Sequence, residues 1–136
     1  MSLLLALFLV VHGGVHIAYI CGPAWPFAMT EPWLVTGVGA AAESVRAAGI
    51  ALALVTFFGF LLAALAAVGL IPARLWRPLV VTAAVASGVV LVLFITPGTL
   101  PGLAIDAVLL WAVLAKGWHP NPLFGRRARA GRPVTP

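Results

Sequence analysis

SLLLALFLVVHGGVHIAYI, residues 2–20, decides the fold. The stretch contains no Asp, Glu, Lys or Arg. It is close to the length of about 20 mostly apolar residues that a helix needs to cross the hydrocarbon core of a bilayer. A soluble protein would have to hide such a segment, and this chain has little polar material for an outer surface. Of its 136 residues 63% are hydrophobic and 8% charged, against roughly 25% charged in a soluble domain. Surface-to-volume scaling leaves much of so small a domain exposed, so lipid is the solvent that fits. The segment reads as a retained span rather than a cleaved leader. No basic stretch precedes the apolar run, and no small-x-small cleavage site closes it. AYIC, ending at Cys21, is only loosely like a lipoprotein box, because Ile20 is large where a small residue is wanted.

Working outward from this segment, three more apolar stretches follow, at about residues 44–70, 78–96 and 99–118. Pro23 and Pro26, Pro72 and Pro78, and Pro97 and Pro101 punctuate the connections, as helix-breaking residues do. The expected fold class is therefore an all-α integral membrane protein, a four-transmembrane-helix bundle over residues 1–118. A basic, Pro- and Gly-rich tail occupies 119–136, with little to bury and the composition of a disordered segment.

The net charge is +5, and its placement matters more than its size. The first loop carries Arg46 alone, and the second carries Arg74 and Arg77. Lys116, Arg126, Arg127, Arg129 and Arg132 lie at or beyond the end of the fourth span. Four spans put seven basic side chains on one side and one on the other. The positive-inside rule then places both termini in the cytoplasm. The expected localisation is the bacterial plasma membrane, with the lipid bilayer as first partner. Charge that flanks spans gives no basic face for nucleic acid. Trp25, Trp33, Trp76 and Trp118 fall near span ends, as interfacial aromatics do, and Trp111 does not. The single cysteine, Cys21, excludes an internal disulfide and any CxxC motif. The first loop, 21–43, is long for a membrane connector and reads as an interfacial segment or a lid. Glu43 and Arg46 are placed to pair beside it.

Few polar side chains lie at depth. His12 and His16, four apart, share one helix face and differ in depth by about 6 Å from the helical rise. Asp106, seven residues into the fourth span from the opposite end, falls between them in depth; Thr56 and Ser87 are also near mid-span. A charged Asp in lipid is expensive, so it should face the interior and find a partner there. We expect Asp106 to hydrogen-bond one histidine of the first helix. Small residues that let helices approach recur at Gly49, Ala53, Ala63 and Ala67, at Ala83, Ala84, Ser87 and Gly88, and at Gly98 and Gly102.

The HGGVH of the first span resembles the HGxxH start of a widespread group of small bacterial four-span proteins. The similarity continues in VRAAGIALAL, in LWRPLVVTAAVASGVVLVLF and in the apolar span after the Pro-Gly turn, up to about Leu114. The resemblance implies a four-helix membrane fold and brings no established activity. It also implies that Asn often stands where Asp106 is here. A more distant, fold-level similarity is to quinone-associated four-span proteins of the DoxX type.

The polar layer reads first as a structural device, a buried polar pair that fixes helix register. For the chain as a whole three readings fit, and the leading one is a small accessory or ligand-binding protein, non-enzymatic, with a homo-oligomer or membrane partner protein around it. The second is a small transporter or proton-coupled channel using His12, His16, Asp106, Thr56 and Ser87, since histidine titrates near neutrality. The third is a metal- or quinone-associated redox protein with His12, His16 and Asp106 as metal ligands. HGGVH lacks the Glu of an HExxH site, and the sequence carries no P-loop, dinucleotide fingerprint or nucleophile motif.

Overall fold

A computed structural model describes residues 2–18, 20, 39–121 and 123, with side chains from residue 43 onward in the longer stretch. All regular structure among them is helical. Helix α1 spans Ser2–Ala18 and α2 spans Gly39–Val68. A 3-10 turn over Ala73–Leu75 leads into α3, Trp76–Leu93. A second, Pro97–Thr99, leads into α4, Leu100–Leu110, which continues as one π turn over Trp111–Ala115.

The breaks have local causes. Gly69, at φ 88°, ends α2 in the left-handed region, and the Leu70 N–H closes the helix end on the Leu65 carbonyl at 2.9 Å. That is the usual glycine stop. Pro78 sits in the first turn of α3, where its missing N–H costs nothing. Around Pro97 and Gly98, Thr99 Oγ1 accepts from the Thr96 N–H at 3.0 Å and its hydroxyl donates to the Thr96 carbonyl at 2.8 Å.

Three helical segments are long and apolar enough to cross a membrane: Glu43–Val68, Ala73–Leu93 and Pro97–Ala115. Helix α1 is apolar but shorter, at 17 residues. Its surface argues for lipid independently of length. It exposes Leu3, Leu4, Leu7 and Val11 and buries Ser2, Ala6, His12, Gly13 and His16. A helix in water turns these faces the other way. With its bulky apolar side chains mostly outside, Leu9 excepted, and its polar ones inside, α1 suits hydrocarbon. The chain is thus a membrane-embedded helical protein.

Backbones pack closely between sequence neighbours, α1 on α2, α2 on α3 and α3 on α4. Glycines set two of these distances. A Cβ on Gly13 would lie 3.1 Å from the Phe60 Cβ and 3.4 Å from the Phe57 carbonyl. A Cβ on Gly59 would lie 2.8 Å from the Ala83 Cβ. Of the expected small-residue positions, Ala53, Ala63, Ala67, Ala83 and Ala84 are buried, while Gly98 is exposed. Gly59, the tightest contact between α2 and α3, had no place in that expected stripe.

Two apolar clusters fill the interior. One is built around Phe60, Ala63, Trp76, Val80, Ala83 and Val113. The other contains Ala53, Val90, Leu91 and Phe94. The polar layer lies between them in register: Thr56 between Ala53 and Phe60, and Ser87 between Ala83 and Val90.

Several expectations change. Helix α2 starts at Gly39, five residues before the expected 44. Trp76 is 1% exposed rather than interfacial; its ring packs against Trp118 with centroids 5.7 Å apart, and its Nε1–H donates to the Trp118 carbonyl at 3.3 Å. Trp111 faces outward, with the Lys116 ammonium 5.1 Å from its ring centre. Glu43 and Arg46 are both exposed, and among the described residues they form no ion pair with each other. Of the expected interfacial segment or lid at 21–43, residues 21–38 lie outside the described residues, as does most of the tail, and 39–43 belong to α2.

Candidate functional site

The polar layer draws on all four helices. His12 and His16 come from α1 and are both buried because Gly13, between them in sequence, lets that face of α1 settle on Phe57 and Phe60. The His12 ring stands edge-on to Phe60 at 5.0 Å and stacks on Phe8 at 5.9 Å. These contacts fix its plane. Ser87 comes from α3 and Asp106 from α4, at 0% and 2% exposure.

The side chains meet in sequence. His12 Nε2 lies 3.0 Å from Asp106 Oδ1. The other carboxyl oxygen, Oδ2, is hydrogen-bonded to Ser87 Oγ. Ser87 Oγ also lies 2.8 Å from His16 Nε2. His16 Nδ1 lies 3.1 Å from the His12 carbonyl. A carbonyl only accepts, so His16 Nδ1 carries a hydrogen and donates. The expected contact between Asp106 and α1 is therefore present, and His12 makes it. His16 reaches the carboxyl only through Ser87.

This layer does mechanical work as well. Backbone packing holds α1 mainly against α2. The links from α1 to α3 and α4 at this level are the side-chain bonds to Ser87 and Asp106. Intramembrane hydrogen bonds contribute about 0.6 kcal/mol each on average, so the layer specifies which helices meet more than it glues them.

Thr56, on α2, is fully buried, and its Oγ1 has no hydrogen-bond partner among the described residues. Antiparallel packing with Gly13 opposite Phe57 and Phe60 puts Thr56 level with His16. It is the one expected site residue that the network does not absorb.

Ser87 and His16 have the separation of a nucleophile and its base, a pairing that sequence spacing did not disclose. The surroundings differ from those of a hydrolase. The hydroxyl is sealed from solvent and also bonded to a carboxyl, and the second imidazole nitrogen is taken by a peptide carbonyl. For a metal, the donor atoms diverge: His12 Nε2 faces Asp106 and His16 Nε2 faces Ser87. No group of three or more His, Cys, Asp or Glu side chains among the described residues is placed to share an ion. A groove of about 480 Å³ runs over α2 and α3, lined by Leu54, Val55, Phe58, Leu75 and Leu79. It is apolar and belongs to the outer face rather than to the polar layer.

No family model, curated protein or solved structure matches the chain.

Proposed function

We propose that the chain is a small non-enzymatic protein of the bacterial plasma membrane, a four-span bundle with both termini in the cytoplasm. It serves as an accessory subunit or binds a small ligand at its polar layer. One observation carries this reading: beside a hydrogen-bonded set of two imidazoles, a carboxyl and a hydroxyl, Thr56 keeps a buried hydroxyl with no partner among the described residues. Buried polar groups that go unmet are costly and rare, and a further bound group is one way to satisfy them. Its partner is a small polar ligand, a second copy of the chain, or another membrane subunit that reshapes this level of the bundle.

Native mass spectrometry of the protein released from lipid nanodiscs tests it. A stoichiometric small-molecule adduct or a bound subunit is expected with the wild type and with Thr56→Ser, and is expected to be lost in Thr56→Val. The bare chain mass in all three would overturn the reading.

The continuous path from His12 through Asp106 and Ser87 to His16 favours proton-coupled transport as the second reading. It calls for a proton flux into proteoliposomes that Asp106→Ala abolishes.

A further inference from the structure

The hydrogen-bond geometry permits a count of protons. Three links join the side chains of the layer: His12 Nε2 to Asp106 Oδ1, Asp106 Oδ2 to Ser87 Oγ, and Ser87 Oγ to His16 Nε2. Each link needs one hydrogen between its two heavy atoms. Ser87 supplies one, from its single hydroxyl hydrogen. His12, as the neutral tautomer protonated at Nε2, supplies a second. The third has no source in a bare carboxylate and a neutral His16, because His16 already uses its one hydrogen at Nδ1 towards the His12 carbonyl. Without it, either the Ser87–His16 link or the Ser87–Asp106 link sets lone pair against lone pair.

We propose that the layer is a proton-binding site: it holds one proton beyond a carboxylate and two neutral imidazoles, shared among Asp106, Ser87 and His16. With that proton the formal charge of the layer is zero, which suits a site sealed between apolar clusters, where an uncompensated charge is expensive. In the uncharged arrangement the bonds run one way round. His12 Nε2–H donates to Asp106 Oδ1, the Asp106 acid donates to Ser87, Ser87 donates to His16 Nε2, and His16 Nδ1–H donates back to the carbonyl of His12; in the other arrangement Ser87 donates to Asp106 Oδ2 and the extra proton, on His16 Nε2, is donated to Ser87. A concerted shift converts this ring into an ion pair. The proton on Asp106 Oδ2 passes to Ser87 Oγ as the Ser87 proton passes to His16 Nε2. The O–H bond at Asp106 breaks, one O–H bond forms and one breaks at Ser87, and an N–H bond forms at His16; no electrons are transferred. Ser87 is thus the relay between an acid and a base that do not touch.

Other titratable groups stay away from the layer among the described residues. Arg46 on α2, Arg77 on α3 and Lys116 beyond α4 are each ten residues from Thr56, Ser87 and Asp106 respectively, about 15 Å along a helix. Helix α1 presents only His12 and His16.

The sequence suits a direct test. Asp106 is the chain's one aspartate and the histidines are three, so carbon-13 aspartate and nitrogen-15 histidine labels give sparse solid-state NMR spectra in phosphatidylcholine vesicles at neutral pH. A His119→Gln variant assigns the exposed imidazole. The expected wild-type result is one proton on the Asp106–His16 pair beyond carboxylate and neutral imidazole. It is read either as a protonated carboxyl or as a carboxylate with both His16 nitrogens protonated. A carboxylate together with singly protonated His12 and His16 overturns the proposal. Asp106→Asn supplies an amide N–H to Ser87 in place of the acid, so His16 should stay singly protonated at Nδ1; a doubly protonated His16 in that variant also overturns it. These readouts need no partner or ligand, so the proton count and the accessory or binding reading fail separately.

Discussion

The polar layer and the apolar cluster around Trp76 are built from the same helices by opposite means. Around Trp76, close packing of alanines, Val80, Val113 and the Trp118 ring holds α2, α3 and the end of α4 together, and Ala6 and Leu9 of α1 join the same cluster. Many small contacts contribute, and almost any apolar set of similar volume would serve. In the layer, a handful of directional bonds bring α1 to α3 and α4. Lipid is as apolar as leucine, so burying a side chain between helices gains little from the hydrophobic effect. The difference teaches a division of labour: packing supplies most of the stability, and the polar bonds choose the arrangement.

That division can be broken from either side. The largest loss of stability is expected in Trp76→Ala, about 3 kcal/mol from the cavity of a fully buried aromatic. It is measured by reversible unfolding in mixed micelles, and the NMR signature of the proton on the Asp106–His16 pair should persist. If that signature vanished with the tryptophan, the two regions would not be separate. Asp106→Ala is expected to cost less, about 1–2 kcal/mol, because intramembrane polar bonds are individually modest. It should nevertheless loosen α1, seen as a wider distance distribution between spin labels on α1 and α4. An unchanged distribution would mean that packing alone positions α1. The smallest effect separates two adjacent glycines. Gly13→Ala presses a Cβ on Phe60 and the Phe57 carbonyl, whereas Gly14 has open space around it. Gly13→Ala should destabilise by about 1 kcal/mol, and Gly14→Ala should be neutral or stabilising by up to about 1 kcal/mol, measured in the same unfolding series. Equal effects would remove Gly13 from its role in seating the two histidines.

Much of this was legible in the sequence, for physical reasons. The all-helical fold and the order of its apolar segments follow from apolar length and from Pro and Gly breaks, and the helical rise was enough to bring His12, His16 and Asp106 to one level. The rest depended on rotation and side-chain direction, which spacing does not encode. Either histidine could have taken Asp106, and the choice of His12 rests on the packing of its ring against Phe8 and Phe60. Ser87 was legible as a polar group at the right depth, and its bridging role appears only once α3 and α4 are side by side. Gly59 was lost among many small residues, and Trp76 resembled an interfacial tryptophan because it stands at a helix end. The early start of α2 fell in an Ala-rich stretch that composition alone does not divide between loop and helix.

The inward-facing histidines of α1 also bear on how the protein is made. His12 precedes its carboxyl partner by 94 residues and His16 precedes Ser87 by 71. Helix α1, made before α3 and α4, must therefore wait, its imidazoles unmatched, until both have been synthesised. An imidazole tolerates that wait, because it can shed its proton and remain uncharged. A carboxylate would not tolerate it as well, and in this chain the acid arrives last, when both histidines and the serine are already in place to receive it.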